Sequence, residues 1–197
     1  MRHPIFISMC LIGTVALTAC DKSTSKVDRA MAGVNAVDET NLSDIMLTVA
    51  DPSEAVTYFQ RTLGENPERI DLQRGLASSL VRAKRYPEAV TAWDKVIKNE
   101  ESNNDDRVEL ADSLIRSGDW KRADAELDKV PPTYETYKRY RLEAMVADSN
   151  KNWKKADSFY ETAVGLTTQP ASVLNNWGYS KLTRGDYKAA ERLFGDA

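Results

Sequence analysis

The chain has 197 residues, 42% hydrophobic and 29% charged, with a formal net charge of −3 at pH 7, a globular composition with room for one or two domains. Acids and bases are nearly balanced and no basic run stands out, which argues against a nucleic-acid partner. Cys10, Cys20 and the single histidine, His3, all fall in the first 20 residues, so beyond them disulfides, thiol or histidine catalysis and every Cys/His metal site are excluded.

At the start, Arg2 precedes a mostly apolar stretch from Ile5 to Leu17. That stretch is too short for an ordinary spanning helix and suits the hydrophobic region of a signal peptide, placed here at residues 1–19. It ends in Leu17-Thr18-Ala19-Cys20, which resembles the bacterial lipoprotein signal. The resemblance implies cleavage before Cys20, acyl chains on that residue and a lipid anchor in the cell envelope, facing the periplasm. Asp21 resembles an inner-membrane retention signal of enteric bacteria, and both membranes stay open. Residues 20–40 are polar and small with no clear period. They read as a flexible tether, the alternative being a short segment that folds on a partner.

From residue 41 to 197 one pattern recurs. Ala55, Ala89, Ala123, Ala156 and Ala190 are spaced by 34, 34, 33 and 34 residues. Tyr86, Trp120, Trp153 and Tyr187 stand three residues before four of them; Phe59, Trp93, Leu127, Tyr160 and Phe194 stand four residues after the five. The pattern predicts about five helix pairs, an all-α solenoid in which small residues sit where helices cross and large ones fill the space between units.

In the first unit Asn41 is expected to cap a short helix through Val49 with Leu42, Ile45, Met46 and Val49 on one face. Asp51 caps the next helix, with Pro52 in its first turn and Glu54 as capping-box acid. In the second, Leu72, Leu76, Ala77, Leu80 and Val81 have helical spacing, and Tyr86-Pro87 restarts the chain. In the third, Val108 to Ile115 precede Gly118-Asp119, read as a left-handed helix end followed by a cap, and Pro131-Pro132 stops the unit. The fourth has Asn150-Lys151-Asn152 in place of Gly-Asp. The fifth, with Gly178 and Gly185-Asp186, is expected to be incomplete, since the chain ends seven residues past Ala190 and leaves Leu193 and Phe194 facing outward.

Ala55-x-x-x-Phe59 with Pro67, and its later copies, resemble tetratricopeptide repeats over about residues 41–197. The pattern departs at the first aromatic position, where Gln73 and Leu174 stand. The lipoprotein signal, five such repeats, Leu174-Asn175-Asn176-Trp177-Gly178-Tyr179 and Arg184-Gly185-Asp186-Tyr187 together resemble the TadD family, tetratricopeptide lipoproteins of the tight-adherence (Flp/Tad) pilus assembly system. That resemblance implies a scaffold for pilus assembly and secretion, with the secretin or other Tad components as protein partners. One alternative is another repeat lipoprotein, an outer-membrane-protein assembly factor or a type IV pilotin. A second, of a different class, is an enzyme or regulator of cell-wall metabolism, which without His or Cys beyond the first 20 residues would act by recruiting an enzyme.

In such a solenoid the first helix of each pair lines the concave face. Its expected exposed positions are Arg74, Ser78 and Arg82, then Asp112 and Arg116, Arg141 and Met145, and Asn175, Tyr179 and Thr183. The recurring arginines suit an acidic or carbonyl-rich partner segment; an ordinary solvated helix face is the competing reading. The four tryptophans read as core. Asp105-Asp106 and Asp128 read as cap and surface acids, so no catalytic residue, metal, cofactor, small-molecule substrate or nucleic acid is expected.

Overall fold

The structure, a computed structural model, describes residues 39–197. The signal segment, Cys20 and the tether up to residue 38 lie outside the described residues. Among the described residues there are ten α-helices and no strand. They are α1 (Glu39–Thr48), α2 (Pro52–Glu65), α3 (Ile70–Arg82), α4 (Tyr86–Val96), α5 (Asn104–Ser117), α6 (Trp120–Leu127), α7 (Tyr137–Ser149), α8 (Trp153–Gly165), α9 (Ala171–Thr183) and α10 (Tyr187–Gly195). Each helix packs on its neighbours in sequence. Odd-numbered helices also touch one another, α1 on α3, α5 on α7 and α7 on α9. The result is a two-layer stack of five hairpins.

Four of the hairpins turn in the same way. The amide of Arg85 donates to the carbonyl of Leu80, Asp119 to Leu114, Asn152 to Ala147 and Asp186 to Lys181. The residue just before each donor is left-handed: Lys84 at φ 59°, Gly118 at 87°, Lys151 at 57° and Gly185 at 79°. This is the Schellman ending, which satisfies the last carbonyls of one helix. The donor residue then serves as N-cap of the next helix. Asp119, Asn152 and Asp186 each accept an amide hydrogen bond with their side chain, while Arg85 does not. One residue thus ends a helix and the next begins another, which is why the aromatic and alanine positions keep their distance from every hinge.

The five hinge alanines are buried, as are Ala77, Ala111, Ala144 and Gly178 in the facing first helices. Small residues let the two backbones of a hairpin approach. The largest core cluster runs from α3 to α7 and includes Trp93, Val108, Leu114, Leu127 and Leu142. No hairpin holds it alone, which is the repeat-array logic of stability carried by neighbour interfaces.

Several expectations need correction. α1 begins at Glu39, so Asn41 lies inside it rather than capping it. Leu42 and Met46 are buried, but Ile45 and Val49 are exposed, because α1 is the outermost helix described and packs, among the described residues, chiefly on α2 and α3. The capping box belongs to α5: Asn103 accepts from the Asp106 amide and Asp106 from the Asn103 amide. α6 ends at Leu127, before Pro131-Pro132 is reached. Leu193 is buried, and Phe194 alone of that pair is exposed.

Candidate protein-binding groove

The ten residues expected on the first-helix face divide into two groups. Arg74, Ser78 and Arg82 lie on α3, and two of them are held within the fold. Arg74 Nε and Nη2 donate to the two carboxylate oxygens of Asp106, both at 2.7 Å, and Nη2 also reaches the Glu101 carbonyl. Arg82 donates to the carbonyls of Met46 and Ala50, both at 2.8 Å, tying the first hairpin's turn to α3. Ser78 is half-buried and Asn175 exposed, and neither lines the groove described next.

The other six come together. Asp112, Arg116, Arg141 and Met145 line a cleft of about 320 Å³, and Met145, Tyr179 and Thr183 line a second of about 300 Å³. The two share Trp120, Met145 and Asn176, so they form one groove across α5, α7 and α9. Asp112 is buried rather than exposed, because it lies under Arg116, whose Nε donates to it at 3.0 Å and whose guanidinium rests 5.9 Å from the Tyr86 ring centre. Asn176 donates its side-chain amide to the Met145 sulfur, fixing the groove floor.

The groove has unlike ends. Trp120, Trp153, Tyr160 and Tyr179 give one cleft an aromatic wall. Trp120 is 37% exposed and Tyr179 64%. Sequence reading placed Trp120 in the core; in the structure it heads α6 at the groove's edge, as the hinge position requires. Asp148 lies at this end and accepts from Ser180 Oγ at 2.7 Å and Tyr160 Oη at 3.0 Å. Burial pushes its carboxyl above the ordinary value, although both hydroxyls favour the charged form. At the other end Arg141 has no ion-pair partner among the described residues, and its Nε is buried with no hydrogen-bond acceptor. In the sequence Arg141 is one arginine among four on this face; the fold leaves it unpaired.

Behind the groove, Asp157 on α8 collects three donors from the fifth hairpin: Arg184 at 2.6 and 3.1 Å, Lys181 at 2.9 Å and Trp177 Nε1 at 2.7 Å. Burial opposes its charge, but these donors outweigh that and hold the carboxyl at about 2. Sequence reading missed this residue, since an acid beside Ala156 looks like any surface acid.

Residues 44–106 match the tetratricopeptide-repeat family model. No curated protein sequence matches the chain. Among solved structures the chain is similar to MamA from Desulfovibrio magneticus RS-1, at 21% identity and TM-score 0.64, covering 79% of this chain and 89% of that one. It is also similar to a thermophilic tetratricopeptide-repeat protein of Thermus thermophilus, at 16% identity and TM-score 0.67, covering 80% and 87%. A third is YrrB, a tetratricopeptide-repeat protein with an unusual peptide-binding site, at 15% identity and TM-score 0.59, covering 85% and 88%. These likenesses concern the fold. Residues 39–197 form a tetratricopeptide-repeat α-solenoid.

Proposed function

We propose that the chain is a non-enzymatic scaffold that holds protein partners on its first-helix face, tethered to a membrane through lipid on Cys20, and that it serves assembly of a Flp/Tad-type pilus. The observation that carries the scaffold reading is the groove across α5, α7 and α9, in which exposed aromatic and half-buried charged side chains meet on a stack of packed helices. Exposed aromatics around a concave site are what peptide recognition uses. YrrB, similar in fold, carries a peptide-binding site. The pilus reading is supported by the lipoprotein signal together with the TadD-like segments quoted above, and it names the secretin or other Tad components as partners. The anchor reading rests on the charge, apolar run and lipobox-like Leu17-Thr18-Ala19-Cys20 occurring together.

The test is affinity capture of the full chain from detergent-solubilised membranes of the native host. Recovery of secretin or other pilus-assembly proteins, lost when Trp120 and Tyr179 are both changed to Ala, is the expected result. Recovery of outer-membrane-protein assembly factors alone would replace the pilus reading. Cys20→Ser in the same host should move the chain out of the membrane fraction or block its processing, and unchanged mass and membrane retention would refute the anchor.

A further inference from the structure

The arginines of the first-helix face are not equivalent. Arg74 is consumed by Asp106, Arg82 by two backbone carbonyls and Arg116 by Asp112. Arg141 alone of these four makes no hydrogen bond or ion pair among the described residues, and its Nε is shielded from solvent. A buried N–H without an acceptor is costly, because it gives up its water and gains no partner. Its cost is recovered when a ligand carboxylate arrives, since a guanidinium takes a carboxylate through paired, directional bonds.

The adjoining cleft has the opposite character. Trp120, Met145, Trp153 and Tyr179 offer aromatic and thioether surface for an apolar side chain. Asp148 sits at that end, its two carboxylate oxygens accepting from Ser180 Oγ and Tyr160 Oη. No Lys or Arg is among the described residues lining this cleft, so a ligand acid would find an acid and no cation there and is admitted only on the Arg141 side. The groove therefore reads both composition and direction.

We propose that the groove takes an extended peptide carrying an Asp or Glu next to a large apolar residue, the carboxylate on Arg141 and the apolar side chain between Trp120 and Tyr179. This rests on the reading of the first-helix face as the partner-binding surface. It adds which chemistry the partner segment presents and which arginine recognises it.

The experiment pans a phage-displayed random-peptide library against the full chain in detergent, and against Arg141→Gln, Arg141→Glu and Trp120→Ala/Tyr179→Ala variants whose melting temperatures match the parent. Parent selections are expected to enrich peptides in which an acid neighbours an aromatic or aliphatic residue. Resynthesised peptides should bind Arg141→Gln about tenfold or more weakly, and selections on Arg141→Glu should enrich bases in place of acids. Recovered peptides that need Trp120 and Tyr179 but show no acid preference, or that bind Arg141→Glu unchanged, would overturn the inference and leave the surface reading intact. Failure to recover any peptide sensitive to the Trp120/Tyr179 change would overturn the surface reading itself. A synthetic peptide of residues 21–38 is included as a probe, because Val37-Asp38 carries the same chemistry. Its binding ahead of every selected peptide would make the occupant the chain's own leading segment and overturn the assignment to a partner.

Discussion

Two glycines show how one side chain decides a hairpin's tolerance. A methyl added at Gly75 would lie 2.3 Å from Phe59 Cε1, and Phe59 is buried on all sides. A methyl at Gly178 would lie 2.7 Å from Phe194 Cε1, but Phe194 is 41% exposed and its ring can swing outward. Overpacking a fixed ring costs about 1–3 kcal/mol, while alanine regains about 1 kcal/mol of helix propensity over glycine. Gly75→Ala should therefore lower the urea midpoint clearly, and Gly178→Ala should leave it nearly unchanged; equal shifts would mean the two rings are equally held. Gly178 was legible in the sequence because Ala77, Ala111 and Ala144 precede it at the repeat spacing. Gly75 was not, since Glu109, Leu142 and Asn176 stand at the matching positions and no pattern marks it. The groove divides likewise. Six of its residues followed from helix periodicity, and so could the local Arg116–Asp112 pair, but Arg74 and Arg82 are held by contacts 32 residues away in the chain, with Asp106 and Ala50, which no local pattern shows.

At the scale of the element, the hinge is the unit that repeats. Two hinges carry glycine and two carry lysine in the same left-handed conformation. A residue with a Cβ loses about 1–2 kcal/mol there, and glycine does not. Lys84→Gly and Lys151→Gly should each raise stability by about 1 kcal/mol, and Gly118→Lys should lower it by a similar amount, all read from chemical denaturation. A destabilised Lys151→Gly would show that the lysine makes a compensating contact. The existence of every hinge was legible, because the aromatic and alanine positions bracket it. Its backbone conformation was legible only where glycine announced it; a lysine gives no such signal, and the surrounding hydrogen bonds impose the turn. The reading of α1 erred for a related reason. Periodicity assigns a face to a helix but cannot say how much of that face a neighbour covers, so Ile45 and Val49 looked like core.

For the whole molecule, stability is shared along the stack and is uneven. The central cluster spans α3 to α7, whereas a separate cluster joins α7, α8 and α9, and polar ties supplement the fifth hairpin's packing. Asp157 is the chief of these. Its folded value of about 2 lies below the ordinary 3.8, so its contribution is complete above about pH 4 and is lost as the pH falls through about 2. The site is partly open to solvent, so screening limits the contribution to about 1–2 kcal/mol. Amide protection in α9 and α10 should fall between pH 4 and pH 2 before protection in α3 and α4 does, and Asp157→Asn should remove that difference. Simultaneous loss in both regions would place the acid-sensitive tie elsewhere. The hinges carry a further consequence. Each Schellman bond spans five residues, and every helix packs on the helix before it. Closing each new hairpin therefore costs little loop entropy, and the contact order stays low. Such a chain zips: folding can begin in any hairpin and run outward in both directions, at the speed of a helical bundle.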